Sequence, residues 1–307
     1  MDIGKKISRI LVDLDPSSDE QPALDKAIFL AQKLDASIEL LVVDYDAGIT
    51  VNWFFDEQKA EEAKKAFLKS RLRWIDSYVS KVVDANISVK TDVRWHKPIY
   101  EGIIKKAIDC DADLIVKSTH QHPKVNKWFF TPNDWQLLKS SRIPVLLAKQ
   151  GTPHSYSQLM AAIDPTQSHG KREGLDKNIL DMAFSLSDTI SANAHVAHCY
   201  QPVGLDLWEN VGVKLKGMET IQFEYEDYLN RLHEKHQLDF NSIIKDCNLD
   251  EKNQHVTFGS PEEKLPEIVK DNDIDLLVMG TAYRTGLLGS TAEKILDKVD
   301  CDILAIK

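Results

Sequence analysis

The chain has 307 residues, a length that accommodates about two ordinary domains of roughly 150 residues each. Hydrophobic residues make up 43% and charged residues 28%, the balance of a globular protein, and no apolar run approaches the ~20 residues needed to cross a bilayer. A net charge of −10 repels phosphate backbones and argues against nucleic-acid partners, although a helix N-terminus still binds small anions locally.

The chain starts Met1–Lys6 and runs straight into a short apolar strand, too short for the apolar stretch of a secretory leader. A cytoplasmic location with no membrane span is the expectation. The strand, Ile10-Leu11-Val12-Asp13-Leu14, ends in Asp15-Pro16 and is followed by an amphipathic helix over about Gln21 to Leu34. A second apolar strand, Ile38 to Val43, leads to a long helix in which Ala63, Phe67, Ile75, Val79 and Val82 recur at helical spacing. A third strand ends Trp95-His96-Lys97-Pro98. Another helix precedes a strand at Asp113 to Val116, and Pro144 to Lys149 closes the series.

The series then begins again. Leu159 to Ile163 ends in Asp164-Pro165 and leads to a helix over about Lys177 to Ile190. A strand at Ala194 to His198 and a long helix carrying Tyr225, Leu229, Leu232, Ile243 and Ile244 follow. A third strand ends Phe258-Gly259-Ser260-Pro261, a fourth covers Asp275 to Val278, and Asp302 to Lys307 closes the second copy. Such repetition marks two copies of one unit, residues 1–150 and 156–307, with 151–155 as linker. Strands that are continuous apolar runs, alternating with helices, predict α/β domains, each an open, five-stranded parallel sheet with helices on both faces.

Ligands of open α/β sheets bind beyond the carboxyl ends of the strands. In the second half the fourth strand runs into Gly280-Thr281-Ala282-Tyr283-Arg284-Thr285-Gly286-Leu287-Leu288-Gly289-Ser290-Thr291, which holds three of the chain's 13 glycines. Glycines let backbone approach an anion, Ser290 or Thr291 can cap the following helix or meet a phosphate, and Arg284 adds positive charge. The loop is neither a Walker loop nor a GxGxxG fingerprint. The corresponding first-half stretch, Lys117 to Trp135, has no glycine. Trp128, Phe129, Phe130 and Trp135 offer apolar bulk, which reads either as filling the cleft or as shaping a more apolar pocket.

Other constellations are weaker. His120-x-His122 and His233-x-x-His236 have metal-ligand spacing but no evident third ligand, so no metal is assigned. His195 and His198 lie three apart on one strand and face opposite ways. The four cysteines show no CxxC, and no nucleophile elbow occurs.

The paired Asp-Pro turns, the Gly259-x-Pro261 turn and the glycine loop ending Gly289-Ser290 resemble those of the universal stress protein family, over nearly the whole chain. That resemblance implies Rossmann-like domains with strand order 3-2-1-4-5. It also implies pairing of domains through their fifth strands, here within one chain, with a homodimer of such chains also open. It further implies a nucleotide-type ligand, ATP, AMP or a related metabolite. Asp164 would hold its adenine or ribose side, the backbone at Val196 or Ala197 would read the base, and Gly280, Thr281, Arg284, Gly286, Gly289, Ser290 and Thr291 would hold its phosphates. Tyr283 stands where the family has its second glycine, and the loop is shorter than the ATP-binding pattern. In the first half Asp15, His96, Ser118, Thr119 and His120 occupy the same places as a degenerate pocket. The expectation is a non-catalytic, small-molecule-binding stress protein, with stress resistance, DNA damage included, implied by the family. A scaffold with both pockets closed is the alternative, and a slow nucleotide hydrolase using Asp164 and Glu293 a third reading.

Overall fold

The computed structural model describes residues 6–50, 57–122, 127–129, 131–166, 174–202, 218–281, 283–284, 287–288 and 290–307. In the first half, β1 (Arg9–Asp13), α1 (Pro22–Leu34), β2 (Ser37–Asp44), the short α2 (Ala47–Thr50), α3 (Glu57–Asp84), β3 (Val89–Trp95), α4 (Ile99–Asp109) and β4 (Leu114–Ser118) follow one another. A hairpin of β5 (His120–His122) and β6 (Lys127–Phe129) comes next, then α5 (Pro132–Ser140) and β7 (Val145–Ala148). The second half repeats this with β8 (Gln158–Ala162), α6 (Leu175–Ile190), β9 (Asn193–Tyr200), α7 (Met218–Ile244), β10 (Gln254–Phe258), α8 (Pro261–Asp271) and β11 (Leu276–Gly280). A hairpin of β12 (Tyr283–Arg284) and β13 (Leu287–Leu288), α9 (Ser290–Lys298) and β14 (Asp302–Ile306) complete it.

The large strands form one ten-stranded sheet in the order β10-β9-β8-β11-β14-β7-β4-β1-β2-β3. Each half therefore has the expected order 3-2-1-4-5, and its own pairs are parallel. The fifth strands join antiparallel, Ile303 opposite Leu147 and Ala305 opposite Val145. Within the sheet this joint hides an edge from each half and leaves β3 and β10 as edges.

Two apolar layers cover the sheet. One packs α1, α3, α6 and α7 on its first face through residues such as Leu30, Ile75, Ile179 and Phe240. The other packs α4, α5, α8 and α9 on the second face through Ile103, Leu137, Leu265 and Leu296. Both layers contain residues of both halves, so the halves share two cores. Each fully buried aliphatic side chain stabilises the fold by about 1.5–3 kcal/mol relative to exposure.

The repeat extends to the smallest details. Asp35 and Ser191, both left-handed, end α1 and α6 at the same place, with φ of 55° and 59°. The Asp before each fourth strand clamps the entry of the first: Asp113 Oδ2 accepts from Ser8 N and Oγ at 2.8 Å each, and Asp275 Oδ2 from Ser157 N and Oγ at 2.6 and 2.7 Å. The matched Asp residues of the sequence are therefore structural. The closing lysines cross between halves. Lys149 Nζ donates to Leu296 O at 3.2 Å at the end of α9, and Lys307 Nζ donates to Lys139 O at the end of α5, placing cations on helix C-termini. Burial pushes the Lys149 ammonium down to about 8.

The 151–155 segment is tied down at its two ends. Thr152 Oγ1 donates to Asp302 Oδ1 at 2.9 Å, Tyr156 OH to Asp302 Oδ2 at 2.7 Å, and Lys26 of α1 forms a 2.8 Å ion pair with the same carboxylate. Asp302 and Lys26 are 0% and 1% exposed, so this knot is a buried charge pair joining the two halves.

Candidate functional site at the carboxyl ends of the strands

Because β7 and β14 run antiparallel, the carboxyl ends of the strands in the two halves point in opposite directions along the common sheet. Each half has its own candidate site there, between the loop after the first strand and the hairpin after the fourth.

In the second half, Asp164 follows β8. Its Oδ1 accepts from Thr166 Oγ1 at 2.9 Å and its N–H donates to Asp176 Oδ1 at 3.1 Å. Asp15 is built alike: its Oδ1 accepts from Ser17 N and Oγ at 2.8 and 2.7 Å, and its N–H donates to Gln21 Oε1 at 3.0 Å. Both carboxylates hold their own turns, the behaviour of Asp in an Asx turn.

Gly280 ends β11 without positive φ. A Cβ there would lie 2.8 Å from Leu175 Cδ2 and 3.1 Å from Ile179 Cδ1, so the glycine admits the first turn of α6 against the strand. Gly280→Val is thus a packing lesion before it is a binding lesion, and Ser290→Ala is the cleaner probe of binding. At the matching first-half position, Ser118 Oγ accepts from Ala23 N at 3.1 Å and caps one orphan amide of α1. Thr281 and Thr119 are also equivalent: both are buried, and their N–H groups donate to Ile306 O and Ala148 O at 2.8 and 2.9 Å. They join the fourth strand to the end of the fifth.

The glycine loop folds back on itself. Tyr283 pairs with Leu288 and Arg284 with Leu287 in an antiparallel hairpin, and α9 starts at Ser290. Gly286 and Gly289 lie outside the described residues, as do the side chains of Arg284, Ser290 and Thr291. The first half has its own hairpin, His120 opposite Phe129. The side chains of His120, His122, Trp128 and Phe129, and all of Phe130, lie outside the described residues, so the aromatic filling read from the sequence does too. Trp135 packs, partly buried, against the α4–α5 layer. His96 Nδ1 lies 3.0 Å from Pro98 O and its Nε2 2.8 Å from Lys105 Nζ.

Val196 and Ala197 lie inside their strand and not at its end. The sequence ends their strand near His198, but β9 continues to Tyr200. Val196 is paired with Ala161 and Gln254, Ala197 with Ala162 and His255, and Ala197 O accepts from Ile163 N at 3.0 Å. Their backbone is committed to neighbouring strands on both sides, and the strand's carboxyl end is at Cys199 and Tyr200.

That end carries a cluster invisible in the linear sequence. The Ile163 carbonyl can only accept, so the 3.2 Å contact to His198 Nδ1 puts the His198 proton on that nitrogen. His198 Nε2 is then an acceptor, and His236 Nδ1 on α7 donates to it at 2.8 Å. Tyr200 stacks on His236 with centroids 4.2 Å apart, and its OH meets His233 Nδ1 at 2.7 Å. Burial and His198 push the His236 imidazolium down, opposed by Asp239 and Asp164. His233 and His236 thus share a face of α7, as their spacing suggests, and both contact Tyr200 of β9, while His236 also reaches His198. Among the described residues no group of three ligand-type side chains could hold a metal. His195 points to the opposite face, as alternation requires.

The first-half cleft holds a different group. Lys117 Nζ donates to Asp13 Oδ2 at 2.8 Å and lies 3.8 Å from Asp134 Oδ1. Asp13, Asp134 and Asp15 hold the Lys117 ammonium well above its ordinary range. A separate cavity of about 580 Å³, lined by residues such as Ile7, Ile108, Arg142, Pro144 and Met182, lies at the amino ends of the first-half strands, and none of the candidate residues lines it.

The fold defines a tandem, open-sheet α/β protein with equivalent loops at the carboxyl ends of the strands in both halves. The profile of the Universal stress protein family matches residues 6–149 and again 176–307, and the chain belongs to that family. Over 304 residues it is 28% identical to Universal stress protein E of Photorhabdus laumondii, covering 97% of this chain and 94% of that protein. The Universal stress protein E homolog of Haemophilus influenzae is 26% identical over 98% of each chain. Among solved structures, a functionally unknown protein of Pseudomonas aeruginosa PAO1 shares the fold, with a TM-score of 0.73, 21% identity and coverage of 99% of this chain and 94% of that one. No described helix is long and apolar enough to cross a membrane.

Proposed function

We propose that the chain is a cytoplasmic, non-catalytic stress protein that binds one nucleotide-like metabolite, ATP, AMP or a chemical relative, in its second half. The observation that carries this reading is the contrast between the first turns of α5 and α9. The α5 N-terminus is occupied by its own carboxylate, Asp134, whose amide N–H donates to Thr131 Oγ1 in return. The third residue of α9 is Ala292, so its first three positions, Ser290-Thr291-Ala292, bring no carboxylate. A helix start of that kind leaves orphan amides to an external anion. Asp164, Ser290 and Thr291 are the residues to which binding is assigned, and the boundaries 1–150 and 156–307 are the domains.

The test is a melting screen with ATP, ADP, AMP and nucleotide sugars. A ligand at ~100 times its dissociation constant stabilises the fold by about 2.7 kcal/mol. Ser290→Ala should remove most of that gain and Asp15→Ala none of it. Stabilisation by no nucleotide would remove the reading and leave the scaffold alternative, and equal losses from the two variants would make the halves equivalent. Nucleotide turnover unchanged in Gly289→Val would mark any hydrolysis as contamination.

A further inference from the structure

The buried ion group of the first half has an apolar replica in the second. Asp13 and Lys117 face each other across β1 and β4, as Ala162 and Met279 do across β8 and β11. Asp134 is the third residue of α5, and Ala292 the third of α9. Three charged side chains are thus replaced by Ala, Met and Ala, with Met279 keeping the length of lysine without its charge. A lysine and two carboxylates taken out of water are retained only where their geometry compensates the lost hydration.

Asp134 is fully buried, and its two oxygens do different things. Oδ2 accepts from Thr131 N at 2.8 Å and from Thr131 Oγ1 at 2.9 Å. Oδ1 makes no hydrogen bond and faces Lys117 Nζ at 3.8 Å. A carboxylate held by a helix N-terminus, a hydroxyl and an ammonium meets the donors that a phosphate would seek.

We propose that Asp134 is a built-in anion, seated where the second half is open to a ligand, so that the first half is closed to external anions by its own side chain. Lys117 is the cation of that seat, and Asp13 holds it in place. The first half is permanently in its anion-filled state, and any response to ligand concentration belongs to the second half.

Asp134→Ala, the residue that the second half carries, should open the seat. The probe is inorganic phosphate, read by the backbone amide resonances of Ser118, Thr131 and Trp135. In wild type these should not move. In Asp134→Ala they should shift saturably at millimolar phosphate, an affinity gain of at least about tenfold over wild type, as expected for a helix terminus combined with an ammonium. Adding Lys117→Met should abolish the gain. Asp134→Asn keeps the side chain's shape and carries the test if the alanine variant folds poorly, with a smaller gain in the same amides. Still amides in both variants, or a gain that survives Lys117→Met, would overturn the proposal. Phosphate at the second half moves Thr281 and Ala292 in wild type and variants alike, so the two sites are read from different residues.

Discussion

Asp302→Ala should lower the unfolding free energy by about 3–5 kcal/mol, the cost of breaking a buried ion pair from one side. The carboxylate is fully buried and accepts from Lys149 N at 2.8 Å, Thr152 Oγ1 at 2.9 Å and Tyr156 OH at 2.7 Å, besides pairing with Lys26. Its loss leaves the Lys26 ammonium, 1% exposed, with the Pro153 carbonyl and the face of the Tyr156 ring, 4.7 Å from its centroid. Asp302→Asn keeps the acceptor oxygen and should cost less. The double variant Lys26→Met/Asp302→Leu removes both charges and should recover much of the loss, with a coupling of about 1.5–3 kcal/mol between the sites. Urea unfolding of wild type, Lys26→Met, Asp302→Leu and the double variant measures this coupling directly, and an Asp302→Ala loss below about 1 kcal/mol would contradict a buried, uncompensated charge. The knot has no symmetric copy, because Pro144 stands in the first half where Asp302 stands in the second. It therefore orders one half against the other in a way that two identical domains could not.

Acidification should destabilise the second half through β9. His195, 6% exposed, lies between Gln158 Oε1 and His255 Nε2 at 3.1 Å each, its ring stacked at 8° on His255. Burial, then His255 and Lys252, push its imidazolium down to about 4. Its folded value lies below the unfolded one, so the unfolded chain takes up this proton first. The stability held by neutral His195 is complete above pH ~6.5 and falls as pH drops toward about 4. Between pH 7 and 5 this one group should remove about 2 kcal/mol, at 1.36 kcal/mol per pH unit below the unfolded value. His236 and His255, also pushed down by burial, add in the same direction. Denaturant unfolding at the two pH values, in wild type and His195→Gln, isolates the effect. The variant should lose less stability on acidification, and identical losses would show that His195 is not held neutral.

Much of the fold is legible in the sequence because it depends on local signals. Runs such as Leu40 to Val43 are apolar without alternation, as strands buried on both faces must be, and the matched turns fix the repeat. The hairpin β12–β13 is less legible, because Thr285-Gly286 is not one of the pairs, such as Asn-Gly or Asp-Gly, that mark a two-residue turn, and its glycine suits a cradle as well. The end of β9 is not legible either, since His198, Cys199 and Tyr200 lack the uniform apolar character of a buried strand. What lets them stay there is contact with residues far along the chain, His233 and His236. The Asp13–Lys117 pair is likewise 104 residues apart in sequence, and Lys117 reads as a strand's last polar residue until the register places it opposite Asp13. The matched Asp113 and Asp275 mark the repeat in the sequence, but their function as clamps depends on Ser8 and Ser157, which only the fold places beside them.

The asymmetry of the two clefts is tested most directly by amide hydrogen exchange, with and without a saturating concentration of whichever nucleotide raises the melting temperature. Protection should rise at Asp164 to Thr166, at Gly280 and Thr281 and at the start of α9. It should stay unchanged at Asp15 to Ser17, at Ser118 and Thr119 and at Thr131 to Asp134. Equal protection of both sets, or protection of the first-half set alone, would contradict a ligand site confined to the second half.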